Sequence, residues 1–449
     1  MIHTLEQMSI EKNYDYIIVG SGPGGATLAK ELSGKTRNVL IIEYGPKFTK
    51  TGAIRVIPIF LNKEKVHPKT DGGIWVGRAR ILGGSSYVAM GNAVTPPRRI
   101  FEEWGIDLSQ ELESARKDLR VNLMPAYFMG EGTKRINEAV KSLGWEMKRT
   151  PKCVDFTKCQ NCGQCMFGCP TGAKWTALEF IGEATENGAE LLLDTEVTEV
   201  LHENGRVTGI RATRKGNTFQ IYGKNIILSA GALETPRILQ NSGILEAGKG
   251  LAMDVYQATY GYTEDVGMKN EIILGTYLEQ LIKEKEFFAA PYMYIPLYLV
   301  KDIEGYAPEK LSLTNQIKIA FKSRRINTNR LIGMMTKIRD EMNGEVSNDG
   351  TIRKKLTKKD KEKLEEAYEI NRKILIAAGA NPKRIHKSSY ESGHPCCTAS
   401  IGKIINEHQE TRIKGLFVSD ASIFPSPLGM PTILTIVAFS KRLAKYLLS

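Results

Sequence analysis

Five of the seven cysteines of this 449-residue chain fall between positions 153 and 169. Four of them read Cys159-x2-Cys162-x2-Cys165-x3-Cys169-Pro170. Three thiols at x2 intervals followed by x3 and Cys-Pro is a spacing that wraps an iron–sulfur cubane. Structural zinc more often uses separated Cys-x2-Cys pairs or Cys/His mixtures, and free or disulfide thiols are the other alternative. Cys159, Cys162, Cys165 and Cys169 are the expected metal ligands. Cys153 is an alternative fourth ligand, because in two-cluster proteins the Cys-Pro residue serves the other cluster. A 4Fe–4S cluster is expected ahead of a 3Fe–4S one.

A second set of chemically suggestive residues lies near the start. Gly20-Ser21-Gly22-Pro23-Gly24-Gly25 contains a Gly-x-Gly-x-x-Gly pattern between a strand candidate and a helix candidate. There the glycines let the backbone turn tightly and approach a pyrophosphate at the positive end of a helix dipole. Glu43 ends the next strand candidate, where an acid can accept the adenosine ribose hydroxyls. The pattern alone does not separate a nicotinamide from a flavin dinucleotide.

The elements that must position these groups begin as a βαβ unit, with strand Asp15–Gly20, helix Ala26–Ser33 and strand Asn38–Glu43. Helices are predicted over Ile100–Leu119 and Arg135–Leu143, irregular chain over Cys153–Lys174, and a helix over Trp175–Asn187. Strands follow at Glu196–His202, Arg206–Ala212 and Asn225–Ala230. Between Ile244 and Pro382 an inserted domain is predicted, with strands Glu271–Leu278 and Met293–Val300 and a helix Lys358–Ala378. Strand Gly415–Asp420 and helix Thr432–Leu447 return to the first domain. The aromatics Phe287, Phe288, Tyr292, Tyr294 and Tyr298 are expected in a packed core rather than around an apolar substrate.

Hydrophobic residues make up 42% and charged residues 25%, ordinary for a soluble globular chain of two or three domains. No apolar run approaches the ~18 residues of a membrane span. The net charge of +12 comes with no nucleic-acid motif. Much of it lies in 354–363, interleaved with acids, as on a solvated helix face. Docking to an acidic redox partner or an anionic membrane surface is the other reading. A polar arm, not a signal peptide, precedes the first strand. The expected location is therefore the cytoplasm, with peripheral membrane contact left open, and reduced thiols there suit metal ligation.

Gly83-Gly84-Ser85-Ser86 within 77–92, Ser229-Ala230-Gly231 with Thr235-Pro236, His394-Pro395-Cys396-Cys397-Thr398, and Val418-Ser419-Asp420 followed by Pro431-Thr432 occur in a telling order. The order resembles that of the glucose–methanol–choline (GMC) oxidoreductases over most of the chain, least so at 245–340. The resemblance implies an α/β protein. A Rossmann-like FAD-binding domain would be assembled from residues 12–110, 172–244 and 391–449. A helical, Cys-rich insertion at 111–171 would carry the iron–sulfur site, and an α+β substrate domain with an antiparallel sheet would span 245–390. FAD would lie extended along Gly20, Ser21, Gly22, Pro23, Gly25 and Glu43. Gly83, Gly84, Ser85 and Asn92 would lie near its isoalloxazine and pyrophosphate, and Val197 would contact adenine through its backbone. Ala230, Asp420, Pro431 and Thr432 would surround the ribityl chain and ring. The cysteine segment resembles one that carries a cluster in bacterial flavin glucose dehydrogenases. It is also similar to a stretch of GMC-type long-chain alcohol oxidases in which a cluster is not a given.

The same resemblance makes His394 the base of an alcohol oxidation, a role that suits an imidazole. The family's second His or Asn is replaced by Met430, and the usual Gly before Thr398 by Cys397. Met can neither accept the alcohol proton nor donate a useful hydrogen bond. The expected activity is dehydrogenation of a CH–OH group in a small alcohol or sugar-like molecule. Hydride would go to FAD, and electrons through the cluster to an electron-transfer protein or quinone. The alternatives are a flavin reductase fed by a ferredoxin-like donor, which Met430 motivates, and a redox subunit of a larger complex with an additional subunit.

Overall fold

The computed structural model describes residues 13–34, 37–48, 51–52, 68–294, 296–304 and 312–449. The chain opens with β1 (Asn13–Val19), α1 (Pro23–Leu32) and β2 (Val39–Ile42), then adds α2 (Ala177–Glu186), β3 (Glu190–Leu192), β4 (Glu196–Glu203), β5 (Arg206–Arg214) and β6 (Asn217–Leu228). A second unit contributes β7 (Tyr256–Tyr262), β8 (Phe287–Pro291), β9 (Leu331–Ile338), α3 (Lys358–Ala377) and β10 (Glu391–Ser392). The chain then returns through β11 (Leu416–Val418) and closes with α4 (Ile433–Leu448).

The first sheet has the order β3-β2-β1-β6-β5-β4, with β11 also on β6. β1 and β2 are apolar because helices or chain cover both faces, as in parallel sheets generally. The twelve-residue β6 serves two architectures. Its second half pairs in parallel with β1 and β11, and its first half pairs antiparallel with β5. The second sheet, order β8-β9-β7-β10, pairs antiparallel along these four strands. Trp75–Val76 joins its edge in parallel with β10, so an early segment of chain closes the later sheet. α1 packs between α2 and α4, and α3 packs on β7 and β9.

Glycine fixes how closely these pieces meet. A Cβ on Gly24 would lie 1.9 Å from the Ser419 carbonyl oxygen, and one on Gly25 would lie 2.0 Å from that of Gly20. Gly20 has φ 100°, and its Cβ would lie 2.3 Å from the Ser229 carbonyl oxygen. Three distant parts of the chain therefore touch backbone to backbone at the β1–α1 turn.

Three expected elements come out differently. The single helix of Ile100–Leu119 is two, Arg98–Trp104 and Ser109–Asp118, because Gly105 takes φ 65° and ends the first. Within Glu271–Leu278 only Thr276–Tyr277 is strand. Glu271 instead turns its carboxylate onto the start of the helix Glu131–Ser142, accepting from the N–H groups of Gly132 (2.8 Å) and Thr133 (3.0 Å). A buried acid there meets orphan donors and the positive end of the helix dipole. Met293–Val300 is not a strand, since Pro296 opens a helix that runs to Ile303 and proline suits a first turn. In segment 111–171, Met124 and Phe128 form a small separate cluster with Ile272, while Ser109–Asp118 packs on α4 and Glu131–Ser142 on α3. Among the described residues no helix is long and apolar enough to cross a membrane.

Gly24→Ala should destabilise the protein by about 3 kcal/mol, the range of a forced backbone clash, and lower the calorimetric melting temperature by several degrees. Gly22→Ala is the control, because its Cβ meets nothing within 4 Å. Equal melting temperatures would show that α1 and the Ser419 turn part freely.

Candidate functional site

A cavity of about 580 Å³ is walled by both sheets and by the loops at the C-terminal ends of β1, β2 and β6. Gly20, Gly22, Pro23, Glu43, Gly84, Ser85, Asn92, Val197, Ala230, Asp420, Pro431, Thr432 and His394 all line it. Ser21, Gly25 and Gly83 stand behind the wall. Ser21 Oγ donates to Glu43 (2.6 Å) and accepts from the Gly83 N–H (2.9 Å), so it ties three segments together instead of facing the cavity. Glu43 also accepts from the N–H groups of Ser21 (3.0 Å) and Gly45 (2.7 Å). Burial raises its pKa, and these hydrogen bonds oppose the rise.

α4 points its N-terminus at the cavity, since Pro431, Thr432, Ile433 and Ile436 are on the wall. Asp420 is also there, with its carboxylate accepting from Gly231 N–H (2.9 Å), Thr235 Oγ1 (2.6 Å) and Ser422 N–H (2.8 Å). It thereby fixes the turn after β6. Sequence reasoning missed a cluster on the same wall, in which Arg78, Arg80 and Arg237 surround Glu234. Burial pushes the Glu234 carboxyl up, but the three guanidinium groups outweigh it and hold the pKa at about 2. Three cations on one carboxylate leave this wall net positive, which suits a pyrophosphate. The alternation Arg78-x-Arg80 in a Gly-rich loop was the available signal.

Farther along the cavity, His394 does not stand alone. Its Nδ1 is 2.7 Å from Lys337 Nζ and 3.5 Å from Asp254 Oδ2. Lys337 comes from β9, a strand buried throughout, and Asp254 from the entry to β7 with φ 50°. Desolvation lowers the Lys337 pKa to about 8, against the pull of Asp254. Desolvation raises that of Asp254 to about 7, against the pull of Lys337. Burial, then the Lys337 charge, push His394 well below its usual value, so its imidazole is neutral at neutral pH. Met430 is buried beside this group, and its main chain hydrogen-bonds Asp254. Cys397 stands where glycine is usual and takes φ 71°. Phe288, Tyr292 and Tyr294 line the cavity, not only the core as expected, and Tyr256 Oη donates to Glu391 Oε2 (2.8 Å) on the same wall. The side chain of Tyr298 lies outside the described residues.

The cysteines divide into four and one. Cys159, Cys162, Cys165 and Cys169 are half-buried free thiols, whereas Cys153 is fully buried. Cys153 is a core residue whose thiol burial raises to about 12. Cys169 is the one with a lowered pKa, because the Thr171 hydroxyl and the N–H groups of Thr171, Ala173 and Lys174 outweigh its burial. Among the described residues no three His, Cys, Asp or Glu side chains gather as ligands of one metal ion.

Two family models, both described as GMC oxidoreductase, match residues 14–256 and 316–440. An uncharacterized protein of Methanocaldococcus jannaschii is 29% identical over 442 residues, covering 97% of this chain and 100% of that protein. A long-chain-alcohol oxidase of Arabidopsis thaliana is 23% identical over 525 residues, covering 98% of this chain and 69% of the oxidase. Pyridoxine 4-oxidase of Mesorbium loti superposes with TM-score 0.70 at 16% identity, over 97% and 99% of the two chains. An Aspergillus oryzae formate oxidase variant gives 0.72 at 15%, over 98% and 99%.

Asp340 holds the Asp254 turn by accepting from the Met253 and Asp254 N–H groups, and it pairs with Lys354 at 2.7 Å, both side chains fully buried. Asp340→Asn leaves the Lys354 charge unpaired and should cost about 3–5 kcal/mol, read as a lower melting temperature. Lys354→Met with Asp340→Asn should recover much of that loss. Additive losses in the double variant would show that the two groups do not act as a pair.

Proposed function

The chain belongs to the GMC oxidoreductase family and is an FAD-dependent oxidoreductase, and from that premise we propose that it dehydrogenates a CH–OH group. The carrying observation is the contact of His394 with Lys337 beside Asp254 on the cavity wall. FAD, when bound, supplies a two-electron hydride acceptor. Gly22, Pro23, Gly84, Ser85 and the arginine cluster would face its pyrophosphate. Glu43 would accept from the ribose with its remaining lone pairs, Val197 would flank the adenine, and Asn92, Ala230, Asp420, Pro431 and Thr432 would surround the rest.

The residues supply the proton path. The substrate hydroxyl donates its proton to His394 Nε2 while Nδ1–H passes its own to the neutral amine of Lys337. The new ammonium is stabilised by Asp254. A lysine near pKa 8 is well matched to such a transfer at neutral pH. Lys337 thus gives the imidazole a proton acceptor that Met430 cannot provide. Long-chain alcohols are the first substrates to try, given the Arabidopsis relative and an apolar wall that includes Phe288, Met335 and Val300.

Cys159, Cys162, Cys165 and Cys169 would hold an iron–sulfur cluster, which supplies single-electron acceptance for an electron-transfer protein or quinone. Support comes from the spacing and the N–H groups aimed at Cys169. Cys153 is set aside as a ligand.

His394→Ala should lower kcat by about 10²–10⁴-fold at unchanged FAD content. Lys337 loses its proton near pH 8 instead of above 10, so kcat/KM should rise with pH through an inflection near 8. Lys337→Met should abolish that inflection; its persistence would remove Lys337 from the path. Anaerobically purified protein should carry iron and sulfide that Cys165→Ala loses and Cys153→Ala keeps. A yellow, iron-free protein that makes peroxide would overturn the cluster and the dehydrogenase reading together.

A further inference from the structure

The cavity wall beside His394 carries a polar cluster that the proton path does not use. Glu391, Tyr256 and Lys337 are direct partners across β10, β7 and β9, so their side chains share one face of the second sheet. All three line the cavity, as do Tyr292 and Tyr294 just beyond β8. His394 follows Glu391 by three residues.

Tyr256 Oη donates to Glu391 Oε2 (2.8 Å) and lies 3.0 Å from Tyr294 Oη and 3.5 Å from Tyr292 Oη. Tyr294 Oη is itself 3.5 Å from Glu391 Oε2. The rings brace one another edge to face, with centroids 4.8 Å apart for Tyr292 and Tyr294 and 6.0 Å apart for Tyr256 and Tyr292. The rest of this wall includes Phe288, Val300 and Met335, among which buried polar atoms are costly to place.

A phenol has one hydrogen to donate. Tyr256 gives its own to Glu391, so Tyr292 and Tyr294 are the donors in their contacts with Tyr256. The hydroxyl hydrogens of the cluster are thus directed inward, onto Tyr256 or Glu391. What the cluster presents is lone pairs, since a carboxylate has about four acceptor positions and each phenol oxygen about two. It is built to recognise a hydrogen-bond donor and to reject a group that only accepts.

A hydroxyl and a protonated amine are both donors, and Lys337 decides between them. Its Nζ lies 5.8 Å from the centre of the Tyr256 ring. Lys337 becomes an ammonium as it takes the substrate proton, and a second cation at the cluster would oppose that step. A neutral hydroxyl does not. Neighbouring strands stand about 4.8 Å apart, a gap that about three or four carbons bridge.

We propose that Tyr256, Tyr292, Tyr294 and Glu391 form a subsite for a second hydroxyl group, so that the preferred substrate is a diol whose hydroxyls stand three or four carbons apart. This rests on the dehydrogenase reading above and names its substrate class. The apolar residues of the same wall take the remainder of the carbon chain.

The test compares octan-1-ol with octane-1,4-diol, using the full chain with FAD bound and a reducible dye as electron acceptor. The kcat/KM for the diol should exceed that for octan-1-ol about tenfold or more, since a site made to hydrogen-bond a hydroxyl penalises the analogue that lacks it. Tyr294→Phe and Glu391→Gln should each cut the diol-to-octanol ratio about tenfold. A merely structural role would lower both alcohols alike and leave the ratio where it was. Equal kcat/KM for the two alcohols, or a ratio unmoved by both variants, overturns the subsite and leaves the dehydrogenation standing. Reduction of the flavin by neither alcohol overturns the dehydrogenase reading and the subsite with it. Should Glu391→Gln fail to accumulate, Tyr292→Phe joins Tyr294→Phe in carrying the same readout, because each removes one oxygen and keeps the ring.

Discussion

A charge removed from water must meet an opposite charge or be neutralised, and four lysines place that demand on the middle of this protein. Lys354 meets Asp340, and Asp340 in turn holds the Met253–Asp254 turn by its backbone. That turn sets Asp254 in the left-handed region beside His394. Lys337 then enters from a strand with no other charged side chain and finds Asp254 and His394 together. Each ion pair is therefore the scaffold for the next, and the reactive imidazole is the last member of the series. Burial makes both partners easier to neutralise, bringing Lys337 and Asp254 toward neutrality from opposite sides. The same packing that costs solvation thus tunes the groups for proton transfer.

Backbone contact supplies the other half of the framework. The β1–α1 turn touches the strand end at Ser229 and the Ser419 turn through missing Cβ atoms at Gly20 and Gly24. Asp420 and Ser229 fasten those two ends to each other, since Ser229 Oγ donates to Ser419 O at 2.9 Å and Asp420 accepts from Gly231. Residues more than two hundred positions apart therefore form one rim. Between them the chain leaves the first sheet, builds the second and returns. That excursion places β7 and β9 over the mouth of the first sheet, where a cavity can be closed on both sides.

What could be read from the sequence follows from the range of the interactions involved. The glycine-rich turn, Glu43 and the strands around them are local devices: spacing along the chain determines what they can do. Thirteen of the residues expected around the cofactor and substrate meet on one cavity wall, while Ser21, Gly25 and Gly83 act from behind it. Lys337 and Asp254 are different. Asp254 is a single charge in an apolar stretch and Lys337 ends one, and nothing within a few residues of either shows that they meet His394. Arg78, Arg80, Arg237 and Glu234 come together in the same non-local way. The failed strand at Glu271–Leu278 belongs here too, because only the remote helix at Glu131 explains why Glu271 leaves the ladder. Apolar runs were misread where a proline, as at Pro296, favoured a helix start over a ladder.

The wall between the cavity and the cysteine loop carries both kinds of interaction at once. Asn92 presents one face to the cavity while its carbonyl oxygen accepts from Lys152. Carbonyl groups at Ser86, Tyr87 and Ala89 converge on Lys174, which orients their peptide N–H groups away from the ammonium. Both ammonium groups are thus bonded to the cavity wall from behind. That wall is held by a few hydrogen bonds to two buried cations rather than by a moving part, and the support is fixed by the fold before any ligand arrives.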